Sequence, residues 1–506
     1  MSGRRNRFLS VRVAAGMAWF VLAVWWIQGS PTAAQEKSVP APSLGEAAPA
    51  AAAADPSVEV LTRGPIHEAF ATPVSDAPAP GLVVPKRPPE PIEEQPPEVK
   101  PQGDNATWIA GYWSWDDERK DFIWISGVWR VAPPGNRWKP GSWQEAEGGW
   151  QWVSGYWMSV TKADVVYLPK PPATLDQGPT SPTPGDAYFW VPGHWQWIAE
   201  RYVWVPGYWT VSRQGMVFVY PSYYWAPRGW IYCGGYWDFP LERRGLLFAP
   251  VYFVAPVARY RPAVCVDVTI VTGSLFCRPA YHHYYFGDYY ADHYVAIGIH
   301  PWFIYSSPRH GYDPLFCYYR THYRHDPRWE TSLRGWHEYY RAHPGMRPPH
   351  TLAEQQRLLA DPKVHSRPDF RNLAVGQPVA QLKDSPNAPM KVRPVPDGQR
   401  AAIQRSARQA SGRRGEPPQM ETRGGPDGRG RSGEDGGPGT ARQERASLAQ
   451  QPSFQTGGAK MAGPPGAGWP DQRAASRPYN MRWSQGLQGA RSWERDSRSD
   501  QPRGKR

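Results

Sequence analysis

Only four cysteines occur in 506 residues: Cys233, Cys265, Cys277 and Cys317. Their spacings of 32, 12 and 40 residues match no zinc module. Four thiols allow three pairings, so these four stand as candidate disulfide cysteines with no pairing chosen. Enzyme signatures are also missing. There is no phosphate-binding glycine loop, Gly-x-Ser-x-Gly elbow, His-Glu-x-x-His or dinucleotide fingerprint. No catalytic residue, cofactor or metal is expected. A hydrolase with its site in 255–345 remains the alternative with no motif behind it. Long apolar runs are scarce as well. Val13 to Ile27 is an uncharged run of 15 residues, short of the ~20 that span a membrane.

That run follows Arg4, Arg5, Arg7 and Arg12 and precedes Thr32 and Ala34, small residues placed as at a cleavage site before Gln35. Residues 1–34 read as a signal peptide and predict an exported chain, in periplasm, cell envelope or medium. No cysteine stands near the cleavage site for lipid attachment. Residues 35–104 are rich in Pro, Ala and Glu without a sustained apolar period, and read as a disordered stalk. The Gly/Arg/Pro-rich tail, 363–506, reads the same way. Asp361 to Arg506 holds 26 basic and 14 acidic residues, a net of +12 against +13 for the whole chain. The basic excess therefore sits in the tail. An exported basic tail suits an envelope polysaccharide or another anionic envelope polymer, and nucleic acid is not expected. Membrane contact is expected only through a retained signal segment or this tail.

What the chain has in abundance is tryptophan: 27 in all, of which 18 lie between Trp108 and Trp237. They follow a phrase, aromatic-x-x-Gly-x-aromatic. The copies are Trp108-Gly111-Trp113, Trp124-Gly127-Trp129, Trp138-Gly141-Trp143 and Trp152-Gly155-Trp157. After a loop insertion at about 160–186 come Trp190-Gly193-Trp195, Trp204-Gly207-Trp209, a degenerate Phe218-Pro221-Tyr223, and Tyr232-Gly235-Trp237. Most copies start 14 residues apart. A fixed short period means a repeat architecture. The copies are rich in aromatic and β-branched residues, with polar runs between them, so the fold is expected to be mainly β. Fourteen residues fit two strands of ~5 residues and two short connections. Each copy is thus expected to be one hairpin and residues 105–254 an antiparallel meander.

The two aromatics of a phrase are five residues apart and would face opposite ways on a regular strand. A bulge with left-handed glycine would bring them to one face. The competing arrangement is an unbroken strand with aromatics on both faces of a buried sheet. Large rings usually form the core, but Trp115, Trp150 and Trp197 lie outside the phrase and are candidates for an exposed platform that stacks on sugars.

Residues 255–362 read as a small α+β region rich in Tyr and His. Ala263 to Val271 alternates as a strand, Arg328–Arg341 has helical spacing, and Thr351-Leu-Ala-Glu354 is a capping box. Ten of the 13 histidines lie between His282 and His350. His282, His283, Asp288, Asp292 and His293 could ligate a metal, but their spacing matches no recognised site.

The Trp-x-x-Gly-x-Trp copies resemble the WXXGXW (YXWGXW) Trp/Tyr-rich repeat family. The resemblance covers about residues 108 to 253. It implies an exported bacterial envelope protein and supplies no catalytic residues; members often carry a lipid anchor, for which this chain lacks the cysteine. The expectation is a non-enzymatic structural or binding module of the cell envelope. The alternative from another class is a glycan-binding module that uses exposed Trp.

Overall fold

The computed structural model describes residues 56–412 apart from 104, 163, 306–311, 327 and 383–389. The expected signal peptide, residues 35–55 of the stalk and residues 413–506 of the tail lie outside the described residues.

Strand register shows how the phrases pair. In the first hairpin Ala106–Ile109 runs antiparallel to Val128–Val131, and Tyr112–Asp116 continues against Asp121–Ile125. Each phrase lies along one arm, and its glycine falls where the ladder breaks. The second hairpin pairs Asn136–Lys139 with Tyr156–Ser159 and Ser142–Ala146 with Gly149–Val153. The third pairs Tyr188–Val191 with Tyr208–Val211 and His194–Ile198 with Arg201–Val205. The fourth pairs Val217–Val219 with Tyr236–Asp238 and Ser222–Ala226 with Gly229–Cys233. The fold is mainly β and built of antiparallel hairpins. The unit is larger than expected, however: two phrases make one hairpin, and 14 residues supply one arm.

This pairing sets every phrase aromatic against one from the other arm. Trp108 meets Trp129 and Trp113 meets Trp124, with centroids 5.4 and 5.3 Å apart. Trp138–Trp157 and Trp143–Trp152 repeat this at 5.3 and 5.4 Å. Trp190–Trp209 and Trp195–Trp204 do so at 5.5 and 5.2 Å, and Phe218–Trp237 and Tyr223–Tyr232 at 5.1 and 5.2 Å. The tilted, edge-directed geometry suits the ring quadrupoles. Such cross-strand pairs are the stabilising units of a two-stranded ladder.

The expected stalk is corrected over residues 56–103, which belong to the folded unit. Val58–Val60 forms an edge strand beside Val251–Phe253, and Leu61, Ile66 and Phe70 are buried. This segment has no period of its own because it forms short strands against distant partners. The expected tail is likewise folded over its described residues up to 412, 383–389 lying outside them. Gly376–Pro378 pairs with Val264–Val266, and Val392–Pro394 with Val99–Pro101. The boundary expected at 254/255 is not a core boundary either. One hydrophobic cluster joins Phe70, Trp157, Val217, Val264, Trp302, Phe316 and Trp329.

A buried charge cluster ties the same parts together. Arg130 of the first hairpin donates from Nη2 to both oxygens of Asp238 in the fourth, at 2.8 and 2.6 Å. Arg244 adds a contact to Asp238 at 3.1 Å. Arg130 Nε and Arg244 Nη1 donate to the carbonyls of Ala69 and Phe70, both at 2.8 Å. Buried charges with partners on three sides are satisfied, and removing any one strands the rest.

Two helical expectations hold. A helix spans Arg328–Ala342 with Trp329, Leu333, Trp336 and Tyr340 buried, and Thr351 and Glu354 form a reciprocal capping box. The strand expected over 263–271 stops at Val266. Asp267 caps a short helix, Val268–Val271, by accepting the Thr269 N–H at 2.9 Å. The candidate disulfides are also corrected. Among the described residues none of Cys233, Cys265, Cys277 and Cys317 forms a disulfide. Cys233, Cys265 and Cys277 are buried in three different hydrophobic clusters, which keeps them apart.

Candidate functional site

The phrase glycines do not take the left-handed conformation a bulge would need; none has a positive φ. Their role is close approach. A Cβ on Gly127 would stand 2.5 Å from the Trp108 ring, one on Gly155 2.4 Å from Trp138, and one on Gly207 2.3 Å from Trp190. Gly141, Gly193 and Gly235 are likewise roofed by Trp152, Trp204 and Phe218, at 2.5, 2.4 and 2.7 Å. Except for Tyr232, which faces Pro221, each opening ring lies on the glycine of the other arm and leaves no room for a larger residue beneath it. Facing glycines are also close. The Cβ positions of Gly111, Gly141 and Gly193 would lie 2.9, 2.9 and 3.1 Å from the nitrogens of Gly127, Gly155 and Gly207.

Where the ladder breaks, these backbone N–H groups have no strand partner. Paired N–H groups of this kind make anion-binding concavities, and acidic side chains from outside the repeats fill them. In the first hairpin Glu94 Oε2 accepts Gly111 N–H at 2.8 Å. Its Oε1 accepts Gly127 N–H at 2.9 Å and the indole N–H of Trp124 at 3.1 Å. In the second, Glu68 Oε2 accepts Gly155 N–H at 2.8 Å, and Oε1 accepts Trp152 Nε1–H at 2.8 Å. His283 Nε2 also contacts Glu68 Oε1 at 2.8 Å. In the third, Asp176 from the insertion loop accepts Gly193 N–H at 2.8 Å. The first hairpin thus holds a carboxylate with two glycine amides and the indole of the second phrase's opening Trp, and the second holds one with a single glycine amide and that indole. The fourth hairpin cannot form it, because Pro221 has no N–H and Tyr232 has no indole.

Burial pushes the Glu94 carboxyl up to about 7, against the lowering pull of the Gly127, Gly111 and Trp124 donors. Asp313, buried with Tyr284 donating to it at 2.6 Å, is also pushed up to about 7 by burial.

The third clamp is the least complete of the three. Asp is one methylene shorter than Glu. Among the described residues no hydrogen bond is recorded from Trp204 Nε1 or Gly207 N–H, the two donors equivalent to those Glu68 grips in the second hairpin. The clamp opens into a pocket of about 70 Å³ lined by Thr174, Asp176, His194, Trp195, Ser222 and Tyr312, among others. The Tyr312 hydroxyl is buried and finds no hydrogen-bond partner among the described residues.

The expected platform residues do not form a row. Trp115, Trp150 and Trp197 are half-buried on three different hairpins. Trp115 packs edge-on to Phe122 at 5.3 Å and Trp197 to Tyr202 at 4.8 Å, while the Arg87 guanidinium lies 5.4 Å from the Trp150 ring. The clustered histidines have separate partners. His282 stacks on Tyr224 at 4.1 Å, His283 meets Glu68, and His350 Nε2 contacts Asp288 Oδ2 at 2.9 Å. Asp292 pairs with Arg341 at 2.7 Å, and His293 packs on Tyr294 at 3.9 Å. Among the described residues no group of three or more His, Cys, Asp or Glu could hold a metal ion. Sequence reasoning missed Glu94, Glu68 and Asp176.

These features define a tryptophan-rich protein of β-hairpin repeats with internal carboxylate clamps. A family model described as WXXGXW repeat (2 copies) matches residues 107–130, 134–158 and 185–210. Each match covers the two phrases of one hairpin, and these three segments are similar to the WXXGXW repeat. No curated protein and no solved structure matches the chain.

Proposed function

We propose that this chain is an exported, non-enzymatic repeat protein that acts as a structural or binding module of the cell envelope. The carrying observation is how the repeat uses its polar groups. Glu94 and Glu68 are spent on amide and indole N–H donors, which ties distant chain segments to the hairpins. The charged amino terminus and its apolar run support export. The third hairpin supports a binding role. It leaves Tyr188, Ile198, Tyr208 and Val211 exposed, whereas the aromatics of the first hairpin lie buried or half-buried against neighbouring elements. Cell fractionation tests the location. Recovery in periplasm or envelope is expected, and recovery mainly in cytosol would overturn the proposal.

A glycan-binding role is the second reading. It is favoured by the half-open clamp on the third hairpin, with Trp195 and Trp204 in its lining, rather than by the three scattered rings expected from sequence.

A further inference from the structure

We infer that the third hairpin is a receptor for the carboxylate of an acidic sugar, a uronate, which takes the place that Asp176 only partly fills. The inference rests on the binding-module reading for its ligand class. Its clamp chemistry rests on the first and second hairpins.

Three observations carry it. First, the same donors hold a carboxylate elsewhere in this molecule. Trp124 Nε1 and Gly127 N–H hold Glu94, at 3.1 and 2.9 Å. Trp152 Nε1 and Gly155 N–H hold Glu68, both at 2.8 Å. Trp204 and Gly207 are the equivalent pair, on a hairpin of the same register. Second, their occupant is too short. Asp176 Oδ1 reaches Gly193 N–H, and its Oδ2 accepts Gly178 N–H within its own loop at 3.2 Å. Third, the pocket in front holds more than an acid needs. It has room for a carboxylate, and the buried Tyr312 hydroxyl lies in its wall without a partner among the described residues. The rings of Trp195 and Tyr223 and the polar groups of Thr174, Ser222 and His194 line the same pocket, so the carboxylate enters it and the pyranose rests at its mouth. The loop that carries Asp176 is the insertion between the second and third hairpins, so the tether and the receptor come together in the chain.

Binding exchanges one carboxylate for another. The uronate oxygens accept from Trp204 Nε1 and Gly207 N–H, and Asp176 swings out with its loop. Charge-assisted hydrogen bonds to backbone N–H groups are among the stronger polar contacts. The gain comes from the two donors that Asp176 leaves idle.

Calorimetry on the full chain with digalacturonate, its methyl ester and a Glu-containing tripeptide tests this. Digalacturonate should bind and its methyl ester should not. Asp176→Asn removes the competing charge and should tighten binding by about tenfold. Asp176→Glu supplies the longer acid found in the other hairpins, closes the clamp and should abolish binding while the chain stays folded. Absence of digalacturonate binding by both the parent and Asp176→Asn overturns the inference. So does an ester that binds as well as the acid, an unaffected Asp176→Glu, or a tripeptide that outcompetes the uronate. The assay is made in solution, so its failure leaves the envelope proposal standing, and failed fractionation leaves this result standing.

Discussion

Glu68 and Trp152 are joined by a 2.8 Å hydrogen bond from the indole nitrogen to the carboxylate, across 84 residues of chain. The same carboxylate accepts Gly155 N–H, three residues beyond that indole. One acid thus holds both the ring and the glycine of a single phrase. Replacing Glu68 with Ala leaves a buried amide and a buried indole N–H unpaired. Each unsatisfied group costs roughly 1–3 kcal/mol. Urea denaturation of Glu68→Ala should show a loss of about 2 kcal/mol or more, with Glu68→Gln retaining part of the stability. A change below about 0.5 kcal/mol, the range of neutral surface substitutions, would show that the clamp is incidental.

The glycines make a second, separable prediction. Gly155→Ala places a methyl 2.4 Å from the Trp138 ring and 2.8 Å from the Lys139 carbonyl. Overpacking of this kind costs typically 1–3 kcal/mol. Gly345→Ala meets nothing within 4 Å and should be neutral. Equal stability of the two variants would contradict the close-approach account.

The tip of the third hairpin holds strain. Ala199 and Glu200 both sit at positive φ, 48° and 60°, in the two-residue turn between Ile198 and Arg201. Such turns favour Asn-Gly, because left-handed backbone is costly for other residues. Ala199→Asn with Glu200→Gly should stabilise the chain by about 1 kcal/mol, read as a rise in thermal midpoint. A fall would show that the tip is held by contacts that the substitutions remove.

The Glu94 carboxyl gives a pH signature. It lies at about 7 folded against an ordinary 4.5. A raised folded value means that the folded state holds the proton more tightly. The contribution to stability is therefore full below about 4.5 and lost as pH rises through about 7. Asp313 acts in the same direction. His282 and His337, lowered by burial to about 4 and about 3, act oppositely, their contribution being lost as pH falls. The parent must therefore be compared with Glu94→Gln rather than with itself. Between about pH 5 and pH 8 the parent should lose up to about 3 kcal/mol relative to the variant. A difference that does not change with pH would contradict a protonated Glu94.

Much of this was legible in the sequence. The 14-residue period gave the hairpins and their aromatics, the spacing from Trp329 to Tyr340 gave a helix, and Thr351 with Glu354 gave its successor. Register was not legible. The polar runs within a hairpin, such as Ala199-Glu200, look like those between hairpins, such as Arg213-Gln214-Gly215. Period alone therefore does not say whether a phrase folds on itself or pairs with the next. The clamp was hidden for a different reason. Glu68, Glu94 and Asp176 are single acids in text without periodicity, and only the folded chain carries them to the glycines. The glycines pointed correctly to a special position but for the wrong cause: they are kept small by a ring above them, not turned left-handed by a bulge.

Amide exchange followed by NMR at Gly111, Gly127 and the Trp124 indole measures the clamp itself. All three protons should exchange slowly in the parent and lose protection by about a hundredfold or more in Glu94→Ala, while Gly155 and Trp152, held by Glu68, keep theirs. Fast exchange at these glycines in the parent, or protection that survives removal of Glu94, would contradict the claim that the repeat is built to grip a carboxylate.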